Sequence, residues 1–261
     1  MNYIHSYSYK PKPRLHGHWK KHVLLGVELE VDYGGEDEYH ARQVLTILNG
    51  DPSSKKNAYI KHDGSLDSGF EIVSQPATIN YHIGRIKWKE AFEYLLNAGY
   101  KSASTHTCGL HVHFNCIFLG SSEKEFLEAE GKMLVFFEEN WEKILRFSRR
   151  TQKQVNRYCR RYGHSNIKKA YEDNNESRYF AINFQNPATD EIRVFRGTLK
   201  YSTFIATLSF VHNLVIYCKK NKNNPDNSWE SFLRFVSKHN SRNKHNETLI
   251  DYLKSRDLWT L

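Results

Sequence analysis

Residues 105–115 read THTCGLHVHFN, and this stretch decides the fold. Strict alternation predicts a strand in which His111 and His113 share one face and Leu110, Val112 and Phe114 the other. One face can enter a core while the other presents two imidazoles. GVELEV at 26–31 repeats the design with Glu28 and Glu30. DEIRVFRG at 190–197 repeats it with Glu191 and Arg193, Ile192 and Val194 lying opposite. Three strands with apolar backs and ionisable fronts imply a sheet whose open face carries an ionic site.

Outward from these strands, Tyr59-Ile60 reads as a short strand, Asp63-Gly64-Ser65 and Asp67-Ser68-Gly69 as turns, and Phe70 to Ser74 as a strand carrying Glu71. Pairing of these strands would bring Asp63 or Asp67 near Glu71. Helical spacing predicts helices over 36–48, 79–98, 203–217 and 229–236, and a long one that starts from a capping box at Ser122 and Glu125. Residues 164–177 read as a polar loop, 178–184 as a strand, and 249–253 and 259–261 as weaker apolar segments. The order fits an α+β fold with a largely antiparallel sheet and helices on its other face. The regular βαβ spacing of a dinucleotide-binding fold and a Gly-rich phosphate loop are both missing.

The 261 residues suffice for one large domain or two small ones. Hydrophobic content is lean at 39%, but 16 Tyr and 15 Phe restore burial capacity and argue for a folded chain. The net charge of +9 admits nucleic acid, anionic surfaces, nucleotides or acidic polypeptides as partners. Much of it lies in the first 22 residues, which hold no acid, and in Arg146 to Arg161, with seven basic residues. The cysteines, Cys108, Cys116, Cys159 and Cys218, form no CxxC pair, which argues against an all-cysteine zinc site. No apolar run approaches the ~20 residues of a membrane span, and the N-terminus lacks a secretory apolar core. The cytoplasm is the default compartment, with no membrane partner.

Carboxylates at i and i+2 repel, and burying them uncompensated is costly. A divalent cation resolves that conflict. Mg²⁺ prefers oxygen ligands, while Mn²⁺ accepts oxygen together with imidazole. Arg178, Arg193 and Arg196 would hold anionic oxygens, with phosphate the natural match. Metals and arginines on one face suit phosphoryl transfer. Each feature has a plainer reading: the wet side of an edge strand for Glu28 and Glu30, a surface pair or a zinc site for His111 and His113, a structural ion pair for Arg193, a solvated helix face for the basic run. The combination is harder to dismiss than any member.

GVELE, DGSLDSGFEIVSQP, THTCGLHVHFN and RYFAINFQNPATDEIRVFRGTL, in that order, resemble the amidoligase family of ATP-dependent carboxylate–amine ligases, distant relatives of glutamine synthetase and glutamate–cysteine ligase. The likeness runs from Leu25 to Leu199. It implies a glutamine-synthetase-like catalytic domain: a curved, mainly antiparallel sheet forming an active-site bowl, with helices packed on its outer face. The chain then divides into a basic flexible tail (1–22), a catalytic domain (23–220) and a C-terminal helical extension (221–261) packed on it.

Carried over residue by residue, the resemblance implies roughly two or three Mg²⁺ or Mn²⁺ ions together with ATP. Glu28 and Glu30 match paired acids that divide between two metals. Glu71 would join Glu30, while His111 and Glu191 would join Glu28, and Asp63 is a further candidate ligand. Arg193 matches the arginine beside the transferred phosphoryl group. Arg178 and Arg196 are assigned to phosphate or substrate carboxylate, and His113 to the nucleotide. Glu71 or Asp63 is a candidate base for the incoming ammonium. The implied partners are a carboxylate substrate (small molecule, peptide or protein side chain) and an amine, with nucleic acid less favoured. One departure stands out: the family's last motif is closer to T-x-E-F-R, where this chain has Asp190-Glu191-Ile192-Arg193. The competing readings are a metal-dependent nuclease or phosphodiesterase and a non-catalytic basic nucleic-acid-binding module.

Overall fold

The structure is a computed structural model that describes residues 2–239 and 245–261. Met1 of the N-terminal arm and residues 240–244 of the C-terminal extension lie outside the described residues. In chain order the elements are β1 (Ile4–His5), β2 (Leu25–Val31), α1 (Glu38–Asn49), β3 (Ala58–Lys61), β4 (Phe70–Ser74), α2 (Ile79–Gly84), α3 (Trp88–Asn97) and β5 (Gly109–Asn115). A short 3-10 turn at Cys116–Phe118 leads to α4 (Glu123–Glu139), α5 (Trp141–Ser148), α6 (Gln152–Tyr158) and α7 (Ile167–Glu176). Then follow β6 (Ile182–Asn183), β7 (Thr189–Arg196), α8 (Tyr201–Lys220), α9 (Trp229–Lys238) and α10 (His245–Ser255).

The seven strands form one sheet in the order β1-β3-β4-β2-β5-β7-β6. β1 runs parallel to β3, and the other pairings are antiparallel. This corrects the expected fold class. The sheet is mixed and open, neither closed nor strongly curled, so it is not a clear glutamine-synthetase-like bowl. The mixed character comes from the N-terminal arm, whose strand signal is two residues long. Ile4 and His5 pair with Ile60 and Lys61, and the N–H groups of Tyr3 and Ile4 donate to Glu38.

The apolar backs of the strands read from sequence do form the core. Val27, Leu29, Val31, Leu110, Val112 and Ile192 are fully buried and join one cluster with residues of α1, α3, α4 and α8. α8 is 20 residues long and apolar enough by length and composition to cross a membrane, which the sequence reading missed; 78% of its apolar window is buried inside the protein, as a core helix. The helix predicted over 79–98 is two helices, broken after Gly84, with Ile86 and Trp88 both buried across the break. Residues 164–177 contain α7 instead of a loop. Its polar sequence hides a buried side, Ala170 and Asn174, and Asn166 caps it through the Lys169 N–H. At α4, Ser122 accepts from the Glu125 N–H, but the Glu125 carboxylate reaches Ser121, so the box is half formed. All four cysteines are free and buried.

Candidate functional site

The register of the central strands assembles the site. Glu30 pairs with Glu71 across β2 and β4, and Glu28 with His111 across β2 and β5. His113 pairs with Glu191 across β5 and β7, and Lys61 with Glu71 across β3 and β4. Because side chains alternate with a period of two, paired positions share a face. These residues, with Arg193 and Asp63, line one cavity of ≈ 1030 Å³. Ionisable residues from five strands therefore meet on its floor.

Two sets of donors stand close enough to hold cations. The ligand atoms of Glu28, His111 and Glu191 lie within 4.8 Å of one another, as do those of Glu30, Glu71 and His111. His111 Nδ1 stands 3.5 Å from Glu28 and 3.4 Å from Glu191, and its Nε2 3.9 Å from Glu30. One imidazole thus lies between both sets. His113 Nε2 is 3.4 Å from Glu28 and 3.9 Å from Glu191. Arg193 forms an ion pair with Glu191, and Asn183 donates to Glu191 at 3.0 Å.

The electrostatics separate the acids. Burial raises the Glu28 carboxyl, but His113 and His111 outweigh it and hold the group well below its ordinary value. Burial likewise raises Glu191, where Arg193, His113 and His111 win and lower it. Burial pushes Glu71 up to about 8, aided by Glu28, despite Lys61 at 2.8 Å. Glu30 is raised for the same reason. Burial disfavours the charged form of His113, yet Glu28 and Glu191 bring it up to about 9. Two acids in excess of local cations, with oxygen and imidazole donors, fit a divalent ion of the Mg²⁺ or Mn²⁺ type.

Gly109 lets this packing close. A Cβ there would lie 2.7 Å from His111 Nε2 and 2.8 Å from Arg150 Nη2, and the Gly109 N–H donates to Glu30. Asp32, buried at the end of β2, takes N–H groups from Ser68 and Asp67 and the Thr107 hydroxyl. It ties the loops around the cavity to the sheet. Burial raises its carboxyl, but these hydrogen bonds outweigh that and lower it.

Of the other sequence candidates, Asp63 lines the cavity and accepts from the Ser65 N–H, whereas Asp67 is not among the described lining residues. Arg178 lines the cavity rim and donates to the Tyr7 hydroxyl at 2.6 Å, so the basic arm supplies part of the wall. Arg196 is not brought to the metal-ligand sets. The β5–β7 register shifts between Leu110 and Val112, so that Ile192 pairs with Val112 but Phe195 with Leu110. This bulge turns Phe195 into the core against Phe147 and sends Arg196 to a separate pocket, where it donates to the Thr105 carbonyl. Lys61, Arg150 and Asn183 line the cavity and were missed. Lys61 was legible, since AYIK alternates and places it beside Glu71 once β3 and β4 pair. Arg150 follows a left-handed Arg149 and carries no periodic signal.

No curated protein matches this chain. Among solved structures, the bifunctional glutathione synthetase from Pasteurella multocida aligns over 93% of this chain and 47% of its own length, with 11% identity and a TM-score of 0.44. This chain spans less than half of that protein. Residues 46–180 match the family model described as "Putative amidoligase enzyme". The match contains Asp63, Glu71, His111, His113 and Arg178, and the strand register brings Glu28, Glu30, Glu191 and Arg193 to them from outside it. More than half of the chain lies within that match, and the protein belongs to the amidoligase family, a ligase-type enzyme with clustered residues suited to divalent cations.

Proposed function

We propose that the protein is an ATP-dependent carboxylate–amine ligase that forms an amide or isopeptide bond through an acyl phosphate. The observation that carries this reading is the pair of donor sets sharing His111, with Arg193 beside Glu191, on the floor of a cavity large enough for a nucleotide and a substrate. We assign Glu30 and Glu71 to one cation and Glu28, His111 and Glu191 to another, with Asp63 as a further candidate. Bound cations would supply charge neutralisation for the triphosphate. The catalytic unit is assigned to residues 23–220, with 221–261 as an extension.

Arg193, held by Glu191, is positioned to stabilise charge on a transferred phosphoryl group, and Arg178 at the rim to hold phosphate or a substrate carboxylate. A substrate carboxylate oxygen attacks the γ-phosphorus, and the bond to the ADP oxygen breaks. The amine then attacks the acyl carbon, phosphate leaves with the bonding pair, and the ammonium proton passes to a base. Glu71, raised to about 8, has the proton affinity for that role wherever it is not ligating. Positioning and preorganised charge dominate the rate gain.

Calorimetric titration with ATP, with and without Mn²⁺, on the wild type, Glu30→Ala and Arg193→Ala tests this reading. Metal-dependent binding weakened by both changes is the expected result. Across carboxylate and amine pairs, Arg193→Ala should slow ADP release by about 10²–10³-fold. A folded chain without metal-dependent nucleotide binding would sink the reading. Metal-dependent cleavage of nucleic acid without ATP would replace it with a phosphodiesterase.

A further inference from the structure

Beyond the metal-ligand sets, a second pocket of ≈ 420 Å³ is lined by Arg146, Arg149, Arg150, Arg196 and Arg256, with Glu142 at its edge. It lies where the C-terminal ends of α5 and β7 meet the residues after α10. Arg146 pairs with Asp257. The other four guanidiniums form no ion pair among the described residues, and Glu142 forms none with them. Arg149 donates to the carbonyls of Arg196 and Gly197, Arg256 to that of Arg146 at 3.0 Å, and Arg196 to that of Thr105 at 3.3 Å. Neutral acceptors hold these side chains in place without cancelling their charge.

The plainer reading is that arginines here serve the carbonyl ends of helices. That accounts for Arg256 but not for Arg150. Arg150 is only 6% exposed, and among the described residues its Nε and Nη1 are buried with no hydrogen-bond partner. Arg149 adds a second observation: it holds a left-handed backbone (φ 67°), uncommon for a residue with a side chain, and from it reaches the end of β7. Four like charges converge on one space with unused donors, where an anion is the missing partner.

We infer that this pocket is a second anion-binding site that takes a phosphate-type dianion. Guanidinium forks match tetrahedral oxyanions, and several forks exceed the acceptor capacity of a single carboxylate. Because Arg150 also lines the large cavity, occupancy of the two spaces is linked through its side chain. The dianion arrives either as free phosphate or as a phosphate group carried on a larger ligand.

The test is calorimetric titration of the full chain in EDTA, which removes any contribution from bound metal and so separates this site from the ligase reading. The probes are inorganic phosphate and phenyl phosphate. Both are expected to bind saturably. Arg256→Gln, at the half-buried rim, should weaken binding about tenfold, and Glu142→Gln should tighten it. Opposite signs from two neighbouring changes exclude a folding defect as the cause. Tighter binding of phenyl phosphate identifies a ligand-borne group; equal or weaker binding identifies the free anion. Absence of saturable phosphate binding by the wild type, or affinities unmoved by both variants, overturns the proposal.

Discussion

Glu30 and Glu71 stand directly opposite each other in the β2–β4 ladder, 5% and 3% exposed. Like charges in that relationship destabilise a sheet, and burial amplifies the effect. Lys61 compensates Glu71, while Glu30 has the Gly109 N–H and a distant His111. The arrangement stores repulsion that a cation relieves. Glu30→Gln should therefore raise the metal-free melting temperature by about 2–4 °C and remove most of the rise that Mn²⁺ gives the wild type. Differential scanning calorimetry with and without Mn²⁺ decides it. A lower metal-free melting temperature with an intact Mn²⁺ response would show that the acids are satisfied by the protein alone.

Lys61 makes the opposite case. Its ammonium sits 2.8 Å from Glu71, and although burial disfavours its charge, Glu71 keeps its pKa raised. It acts as a resident counter-ion that an incoming metal must displace or share. Lys61→Gln is expected to destabilise the metal-free protein while tightening Mn²⁺ binding roughly tenfold. Direct Mn²⁺ titration reads this out. Weaker Mn²⁺ binding in the variant would mean that Lys61 orients Glu71 for the metal.

Gly109 is under steric rather than electrostatic constraint. A methyl group there would meet both His111 and Arg150 inside van der Waals distance. Gly109→Ala should shift the imidazole away from Glu30 and weaken Mn²⁺ binding by about tenfold or more, at a stability loss of about 1–3 kcal/mol. Metal titration and urea unfolding on the same preparations separate the two effects. Wild-type Mn²⁺ affinity in a folded Gly109→Ala protein would remove His111 from the ligand set.

The chain announces its central strands because each pairs a continuous apolar back with an ionisable front, and β2, β4, β5 and β7 lie where that alternation places them. Pairing partners then follow from which charged fronts need one another, so Glu28, His111 and Glu191 were legible as a group. The departures have local causes. β1 has two residues, too few for any period, and its parallel pairing made the sheet mixed. The bulge opposite His111 reverses the facing of everything after Arg193, so strict alternation misplaced Arg196. The basic run looked like one helix face, but the left-handed Arg149 splits it between two helices and turns part of it inward. Such features rest on single residues, and periodicity averages over them.

His82 supplies a pH test away from the site. It is fully buried beneath β2, its Nε2 2.9 Å from the Leu25 carbonyl, while its Nδ1 faces the Trp88 indole N–H at 3.2 Å. A ring that donates from Nε2 and accepts at Nδ1 is neutral. Burial lowers its pKa to about 4, against an ordinary value of 6.5. Between those values the unfolded chain binds the proton and the folded chain does not, so this contribution is complete above pH 6.5 and disappears as pH falls toward 4. The difference amounts to about 3 kcal/mol. Burial lowers His245 to about 4 and His212 to about 3, and both add to the acid sensitivity. Glu71, raised by burial, works in the opposite sense, so the comparison must be made against a variant. His82→Gln is expected to lose stability at pH 7.5 and to show a shallower decline between pH 6.5 and 4.5, measured by urea unfolding. Parallel pH profiles for the two proteins would mean that His82 is protonated in the fold, with its hydrogen bonds rearranged to match.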